Sequence, residues 1–160
     1  MKRKTRILAT ASAGGHWVQL MRLRPSWTGL DVTYVTTDKG LEAPLRDDAD
    51  RAGDTVAGFH TVVEANRWNK MRLVRQLLHL IWIISTVRPD VIVTTGAAPG
   101  YFALRIGRLL GARTIWIDSI ANADELSLSG KQIGKYADLW LTQWEHLAQP
   151  GGPQYLGSVI

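Results

Sequence analysis

Three short polar stretches in this chain carry residue types that can bind an anion or move a proton. The first is Ser12-Ala13-Gly14-Gly15-His16. Two adjacent glycines leave backbone N–H groups open to a phosphate or a sugar, and Ser12 and His16 add a hydroxyl and an imidazole beside them. The second stretch, Thr95-Gly96-Ala97-Ala98-Pro99-Gly100, again places small residues around a hydroxyl. The third, Asp118-Ser119-Ile120-Ala121-Asn122, brings a carboxylate. His16 and Asp118 are the candidate proton acceptors. Ser12, Gly14, Gly15, His16, Thr95, Gly96, Gly100, Ser119 and Asn122 are the candidate ligand-binding set. The same residue types also suit structural turns and caps: a glycine pair after any strand, a hydrogen-bonded histidine, or a helix-capping aspartate.

Two familiar phosphate motifs are excluded by spacing. Val18 stands where the third glycine of a dinucleotide fingerprint is required, and no Gly-Lys-Ser/Thr follows the glycines. Asp38, about two dozen residues beyond the glycines, is the one feature that supports the alternative of a nucleotide-binding Rossmann module.

The elements that must position these stretches alternate. Ile7 and Leu8 form a first short strand, and Val18, Leu20, Met21 and Leu23 recur at helical spacing after it. Further strands are predicted over residues 32–35, 55–57, 91–94, 114–117 and 139–142, and helices over 66–87, 101–110 and 129–137. The stretch 36–50, with Asp47, Asp48 and Asp50, reads as a polar loop with a short helical piece. This order implies an α/β fold: a Rossmann-like, doubly wound parallel sheet of about six strands. In such a sheet the loops after the first, fourth and fifth strands meet along one edge, and those loops are the three polar stretches. Residues 1–148 are expected to form one domain. Residues 149–160, opening with Gln149-Pro150-Gly151-Gly152-Pro153, are expected to be a linker and terminal strand.

Residues 66–87 have a divided character. Arg67, Lys70, Arg72 and Arg75 make the first half basic, whereas Leu77 to Ile84 is apolar around nearly the whole circumference. That apolar run is much shorter than the roughly 20 residues a bilayer crossing needs. Such a helix can lie against an anionic membrane surface or a protein partner, and Arg72, Arg75, Trp82 and Ile83 are the candidate membrane contacts, with a fully buried helix as the alternative.

Composition bounds the rest. The chain has 160 residues, of which 46% are hydrophobic, enough for one domain with a continuous core. It has no cysteine, and His16, His60, His79 and His146 lack ligand spacing, so neither a metal nor a cofactor is expected. The basic start is followed by an apolar run too short for a signal peptide, which points to the cytoplasm. A net charge of +5 suits an anionic partner. The seven tryptophans are not interleaved in a basic stripe, so nucleic acid is not the expected one.

Taken together, Ser-Ala-Gly-Gly-His, Thr-Thr-Gly-Ala-Ala-Pro-Gly, Gly-Ala-Arg-Thr-Ile-Trp-Ile-Asp-Ser and Tyr-Ala-Asp-Leu-Trp-Leu-Thr resemble the N-terminal half of GT-B glycosyltransferases. The pattern is similar to MurG-type enzymes, to split exopolysaccharide subunits of the PssD type, and to the membrane-anchor subunit of the eukaryotic dolichol-linked N-acetylglucosamine transferase. The resemblance implies an inverting UDP-sugar transferase subunit, transferring an N-acetylglucosaminyl or glucuronosyl group, in polysaccharide biosynthesis. It implies that this domain binds a polyprenyl-pyrophosphate-linked acceptor while associated peripherally with the inner face of the cell membrane. It further implies that the UDP-sugar is held mainly by a small donor-binding partner in a heterodimer. Gly14, Gly15 and His16 then fall at the acceptor loop near the pyrophosphate, and Thr95, Gly96 and Gly100 at the second loop. Asp118, Ser119 and Asn122 fall where MurG-like enzymes carry a His-Glu-Gln-Asn run, which this chain matches in part.

Overall fold

A computed structural model describes residues 3–65 and 68–159. Its centre is a seven-stranded, wholly parallel sheet. In chain order the strands are β1 (Arg6–Thr10), β2 (Asp31–Thr36), β3 (Gly58–Thr61), β4 (Val91–Thr94), β5 (Arg113–Ile117), β6 (Leu139–Thr142) and β7 (Gln154–Tyr155). Spatially they run β3-β2-β1-β4-β5-β6-β7. The direction of travel reverses between β1 and β4, whose register pairs Thr10 with Thr94. That is the topological switch point, where open α/β sheets leave a crevice beyond the carboxyl ends of the strands.

Helices cover both faces, as parallel strands buried on two sides require. Helices α3 (Lys70–Val87), α4 (Ala97–Leu109) and α5 (Leu128–Ile133) lie over one face. There Leu80, Ile83, Ile84, Leu104 and Ile133 close over Leu8, Ile92 and Trp116. Helices α1 (Gly15–Arg22) and α2 (Glu42–Arg51) cover the other, where Trp17, Leu20 and Leu45 meet Ile7, Ala9, Val93 and Ile117. Consecutive strand residues point to opposite faces, so Leu8 and Ala9, or Ile92 and Val93, enter different cores.

The doubly wound sheet is as expected, with several local differences. The third strand lies at Gly58–Thr61 and not at 55–57, because Phe59 and His60 register beside Tyr34 and Val35. The polar stretch 36–50 contains a full ten-residue helix, α2, with Pro44 in its first turn. Helix α3 begins at Lys70, where the Asn69 side chain accepts from Arg72 N at 3.0 Å; Asn66 and Arg67 lie outside the described residues. The last predicted helix is shorter, Leu128–Ile133, and tightens into a 3₁₀ turn over Gly134–Tyr136. The segment after Pro153 returns to the sheet: Gln154 and Tyr155 register with Leu141 and Thr142 and supply a seventh strand. Ile160 lies outside the described residues.

Candidate functional site

Helices α1 and α4 start at the carboxyl ends of the two switch-point strands. Both N-caps are glycines: Gly14 at φ 86, ψ −141 and Gly96 at φ 120, ψ −162, a region that L side chains rarely enter. Ala97, next to Gly96, also has a positive φ of 64. Neither helix receives a side-chain cap, so the first-turn N–H groups of both are left for something outside the helix.

His16 ties the two starts together. Its Nδ1 lies 2.8 Å from the Thr95 carbonyl oxygen. A carbonyl can only accept, so Nδ1 carries the proton in that bond. In the neutral ring Nε2 then keeps a lone pair. The Thr95 hydroxyl returns a bond of 2.6 Å to the His16 carbonyl. Gly96 is what lets the ring sit so close: a Cβ there would come within 3.0 Å of His16 Cε1. Wholly buried Trp116 packs beside the same loop, its Cζ2 3.8 Å from where that Cβ would stand.

The other glycines of the set divide by cause. A Cβ at Gly14 or Gly15 would meet nothing within 4 Å, so packing does not demand their smallness; Gly14 needs its backbone angle, and Gly15 faces open space. Gly100 is different. It is buried, and a Cβ there would fall 2.0 Å from Thr94 Oγ1, so its smallness lets α4 rest on β4. Gly100 is thus a packing residue and not a ligand contact. Ser12 is half-buried in the loop between β1 and α1.

The third stretch is turned inward. Asp118 is 2% exposed, and its oxygens accept from Trp116 Nε1 at 3.2 Å, Ser127 N at 2.8 Å, Ser127 Oγ at 2.6 Å and Asn122 Nδ2 at 3.3 Å. An aspartate with this many donors and almost no exposure holds the loop before α5; the expected role as an open catalytic base does not fit its surroundings. Asn122 is engaged in the same knot. Ser119, 6% exposed, accepts from Gln19 Nε2 at 3.0 Å and from Ala121 N at 3.3 Å. Asp118 and Ser119 thus hold the edge of the crevice from within, while Asn122 is bonded to Asp118 and stays only half-buried.

Two residues central to that edge were missed from the sequence. Gln19 and Gln143 are both buried, and Gln143 Nε2 donates to Gln19 Oε1 at 2.7 Å and to the Asp118 carbonyl at 2.9 Å. Gln143 Oε1 accepts from Val159 N at 2.8 Å, so the network ties the C-terminal segment to α1. A signal existed for each. Gln143 directly follows a strand, and Gln19 is a polar residue between the buried Trp17 and Leu20 of α1.

Asp38 caps a local turn, accepting from Gly40 N at 2.8 Å. Among the described residues no group of three His, Asp or Glu side chains is placed to hold a metal ion.

On α3 the apolar circumference resolves into two stripes. Leu80, Ile83 and Ile84 are buried, with Ile83 at 0% exposure. Ile83 therefore belongs to the core, and its expected contact with a membrane is corrected. The opposite stripe is open: Met71 is 85% exposed, Val74 55%, Leu78 62% and Trp82 56%. Lys70 and Arg75 flank an apolar hollow over Met71, Val74 and Leu78. His60 and His79 brace Trp82, with ring centroids at 5.9 and 5.8 Å. Burial, with His79 beside it, lowers the His60 pKa below the usual imidazole range. Among the described residues no helix is long and apolar enough to cross a membrane.

The family described as "Oligosaccharide biosynthesis protein Alg14 like" matches residues 60–159. The chain belongs to the Alg14-like family. It is 26% identical over 181 residues to the human UDP-N-acetylglucosamine transferase subunit ALG14, covering 96% of this chain and 82% of that one. The subunit of the same name from Yarrowia lipolytica is 37% identical over 68 residues, 39% of this chain and 32% of its own. In structure the chain is similar to Acinetobacter baumannii MurG, with a TM-score of 0.71 at 13% identity over 93% of this chain and 44% of MurG. It is also similar to a Neisseria meningitidis UDP-GlcNAc 2-epimerase, with a TM-score of 0.62 at 8% identity over 87% of this chain and 40% of that one. The Alg14-like chain thus spans less than half the length of these solved structures, and at such identities the likeness is one of fold. The expected likeness to the Alg14-type subunit is met by the family, and the expected Rossmann-like sheet by the fold.

Proposed function

We propose that this Alg14-like chain is the acceptor-binding subunit of a two-component, inverting UDP-sugar transferase that acts on a polyprenyl-pyrophosphate-linked sugar at a membrane surface. The observation that carries this reading is the pair of uncapped helix starts, α1 and α4, facing one crevice with His16 clamped between them. Their free N–H groups and dipole ends suit the two negative charges of a pyrophosphate, and Gly15 leaves the backbone open to it. The relatives named as UDP-N-acetylglucosamine transferase subunits favour N-acetylglucosamine over glucuronate as the transferred sugar.

In this reading His16 Nε2 accepts the proton of the acceptor hydroxyl while the hydroxyl oxygen bonds to the anomeric carbon of the donor and UDP departs. Thr95 holds the ring in the tautomer the step requires. Ser12 adds a hydroxyl near the pyrophosphate. The donor nucleotide is held mainly by a separate subunit, and no cofactor takes part. Arg72, Arg75 and Trp82, with Met71, Val74 and Leu78, rest against the inner face of the cell membrane, presenting the crevice to a lipid-linked substrate. Exposed Leu156, beside edge strand β7, offers the donor-binding subunit an apolar foothold.

The test is sugar transfer from radiolabelled UDP-sugars to a polyprenyl-pyrophosphate-linked acceptor, by the chain alone and mixed with a candidate donor-binding subunit. Transfer in the mixture only, dependent on His16, is expected. Full transfer by the chain alone, or none in either with confirmed association of the two subunits, overturns the proposal.

A further inference from the structure

Away from the crevice, a surface pocket of 720 Å³ opens between α4 and the α5 segment. Tyr101 and Arg105 form one wall, Lys131 and Lys135 the other, and Tyr136 and Trp140 the remainder. The packing that makes it depends on Gly134, where a Cβ would lie 2.5 Å from the Trp140 ring.

The charges in this pocket are unbalanced. The Arg105 guanidinium lies 4.8 Å from the Tyr136 ring centre and 5.6 Å from that of Tyr101, and the Lys135 ammonium lies 5.1 Å from Tyr136. Lys131 pairs with Glu125 at 2.5 Å, but among the described residues neither Arg105 nor Lys135 has a carboxylate partner, and no Asp or Glu lines the pocket. Trp140 adds a half-buried aromatic ring to the lining.

We propose that this pocket binds an anionic sugar ring, a uronate or a sugar phosphate. The aromatic walls suit the C–H faces of a pyranose, Arg105 and Lys135 suit its carboxylate or phosphate, and the Gln132 amide suits its hydroxyls. A neutral sugar leaves the two cations uncompensated. The inference goes beyond the transferase reading and does not depend on it, because binding is measured on this chain alone.

The experiment is saturation-transfer-difference NMR on the full chain with four probes: glucuronic acid, glucose 1-phosphate, neutral glucose and UMP. Signals from either anionic sugar are expected, with glucose bound at least about tenfold more weakly, the loss of one charge-assisted contact. Binding of glucuronic acid without glucose 1-phosphate narrows the site to carboxylates; both binding makes it a general anionic-sugar site. The variant Arg105→Met with Lys135→Met is expected to lose binding with an unchanged circular-dichroism melt. Should it fail to fold, Lys135→Glu alone, at an exposed side chain, is expected to weaken both anionic sugars. No signal from either sugar, equal binding of glucose, tighter binding of UMP, or unaltered binding by a folded variant overturns the proposal.

Discussion

Gln143 and Gln19, 124 positions apart in the chain, share a 2.7 Å hydrogen bond inside the protein. Through it the C-terminal segment, held by Val159 N on Gln143 Oε1, is linked to α1, the helix that carries His16. Gln143→Ala strands the Val159 N–H and removes one of the donors to Gln19. Leaving buried polar groups unsatisfied costs about 2 kcal/mol. For a domain of this size the melting temperature is expected to fall by roughly 5 °C. Hydrogen exchange at the Val159 amide is expected to accelerate more than exchange in β1, which thermal melts alone do not reveal.

The second prediction separates the proton-accepting role of His16 from its structural bond. In His16→Asn the side-chain amide can still donate to the Thr95 carbonyl but has no basic nitrogen. Transfer by the assembled subunits is expected to fall by about 10²- to 10⁴-fold, the usual range for a lost general base, with the fold and acceptor binding retained. Transfer unchanged in a well-folded His16→Asn protein removes His16 from the chemistry.

Two glycines of the site give opposite results on substitution. Gly100→Ala drives a methyl into Thr94 Oγ1, and overpacking of this kind costs roughly 1–3 kcal/mol, read as an earlier denaturation midpoint. Gly15→Ala meets no atom within 4 Å and requires no unusual backbone angle, so stability is expected to stay within about 0.5 kcal/mol. Its effect is expected on affinity for a pyrophosphate-linked acceptor, because the added methyl would stand over the backbone that the proposed acceptor site uses.

Helix α3 offers a comparison of its two faces. Met71→Glu with Leu78→Glu, both on the exposed stripe, is expected to abolish sedimentation with anionic vesicles while circular dichroism stays native. Ile83→Glu, next to Trp82 in the chain but wholly buried, is expected to unfold the chain. Vesicle binding that survives both stripe substitutions places the membrane contact elsewhere.

Asp138 carries a pH dependence. Burial works to raise its pKa, but hydrogen bonds from Arg108, at 2.5 Å, and from Thr114 N and Oγ1, at 2.9 and 3.1 Å, prevail and lower it. A carboxylate with a lowered pKa in the folded state contributes stability above its unfolded value, about 3.9, and loses it as pH falls through the folded one. Asp138 is partly exposed, so screening keeps the effect small. As pH falls below about 4, wild type is expected to lose stability faster than Asp138→Asn, with the two converging at the acid end.

Local pattern was enough to determine the alternation of strands and helices, the parallel sheet and the three loops at one edge. Each of these follows from short apolar runs, small-residue turns and 3.6-residue periodicity within a few positions of one another. The helix start at Gly14 was legible for the same reason, since a positive φ at an N-cap is a local demand, whereas α4 begins at Ala97, ahead of the expected 101, because Gly96 and not Pro99 makes the turn. What needed the tertiary structure was direction. The sequence placed Asp118 and Ser119 at the edge of the crevice, but only the folded chain turned them inward, towards Ser127 and Gln19. Gly100 and Gly15 look alike as letters; one packs on Thr94 and the other faces open space. Ile83 and Trp82 are adjacent in the chain, yet the helix rotates one into the core and leaves the other outside. The Gln19–Gln143 bond and the clamp between His16 and Thr95 join positions that no local pattern connects, because they come together only when β1, β4 and β6 take their places in one sheet.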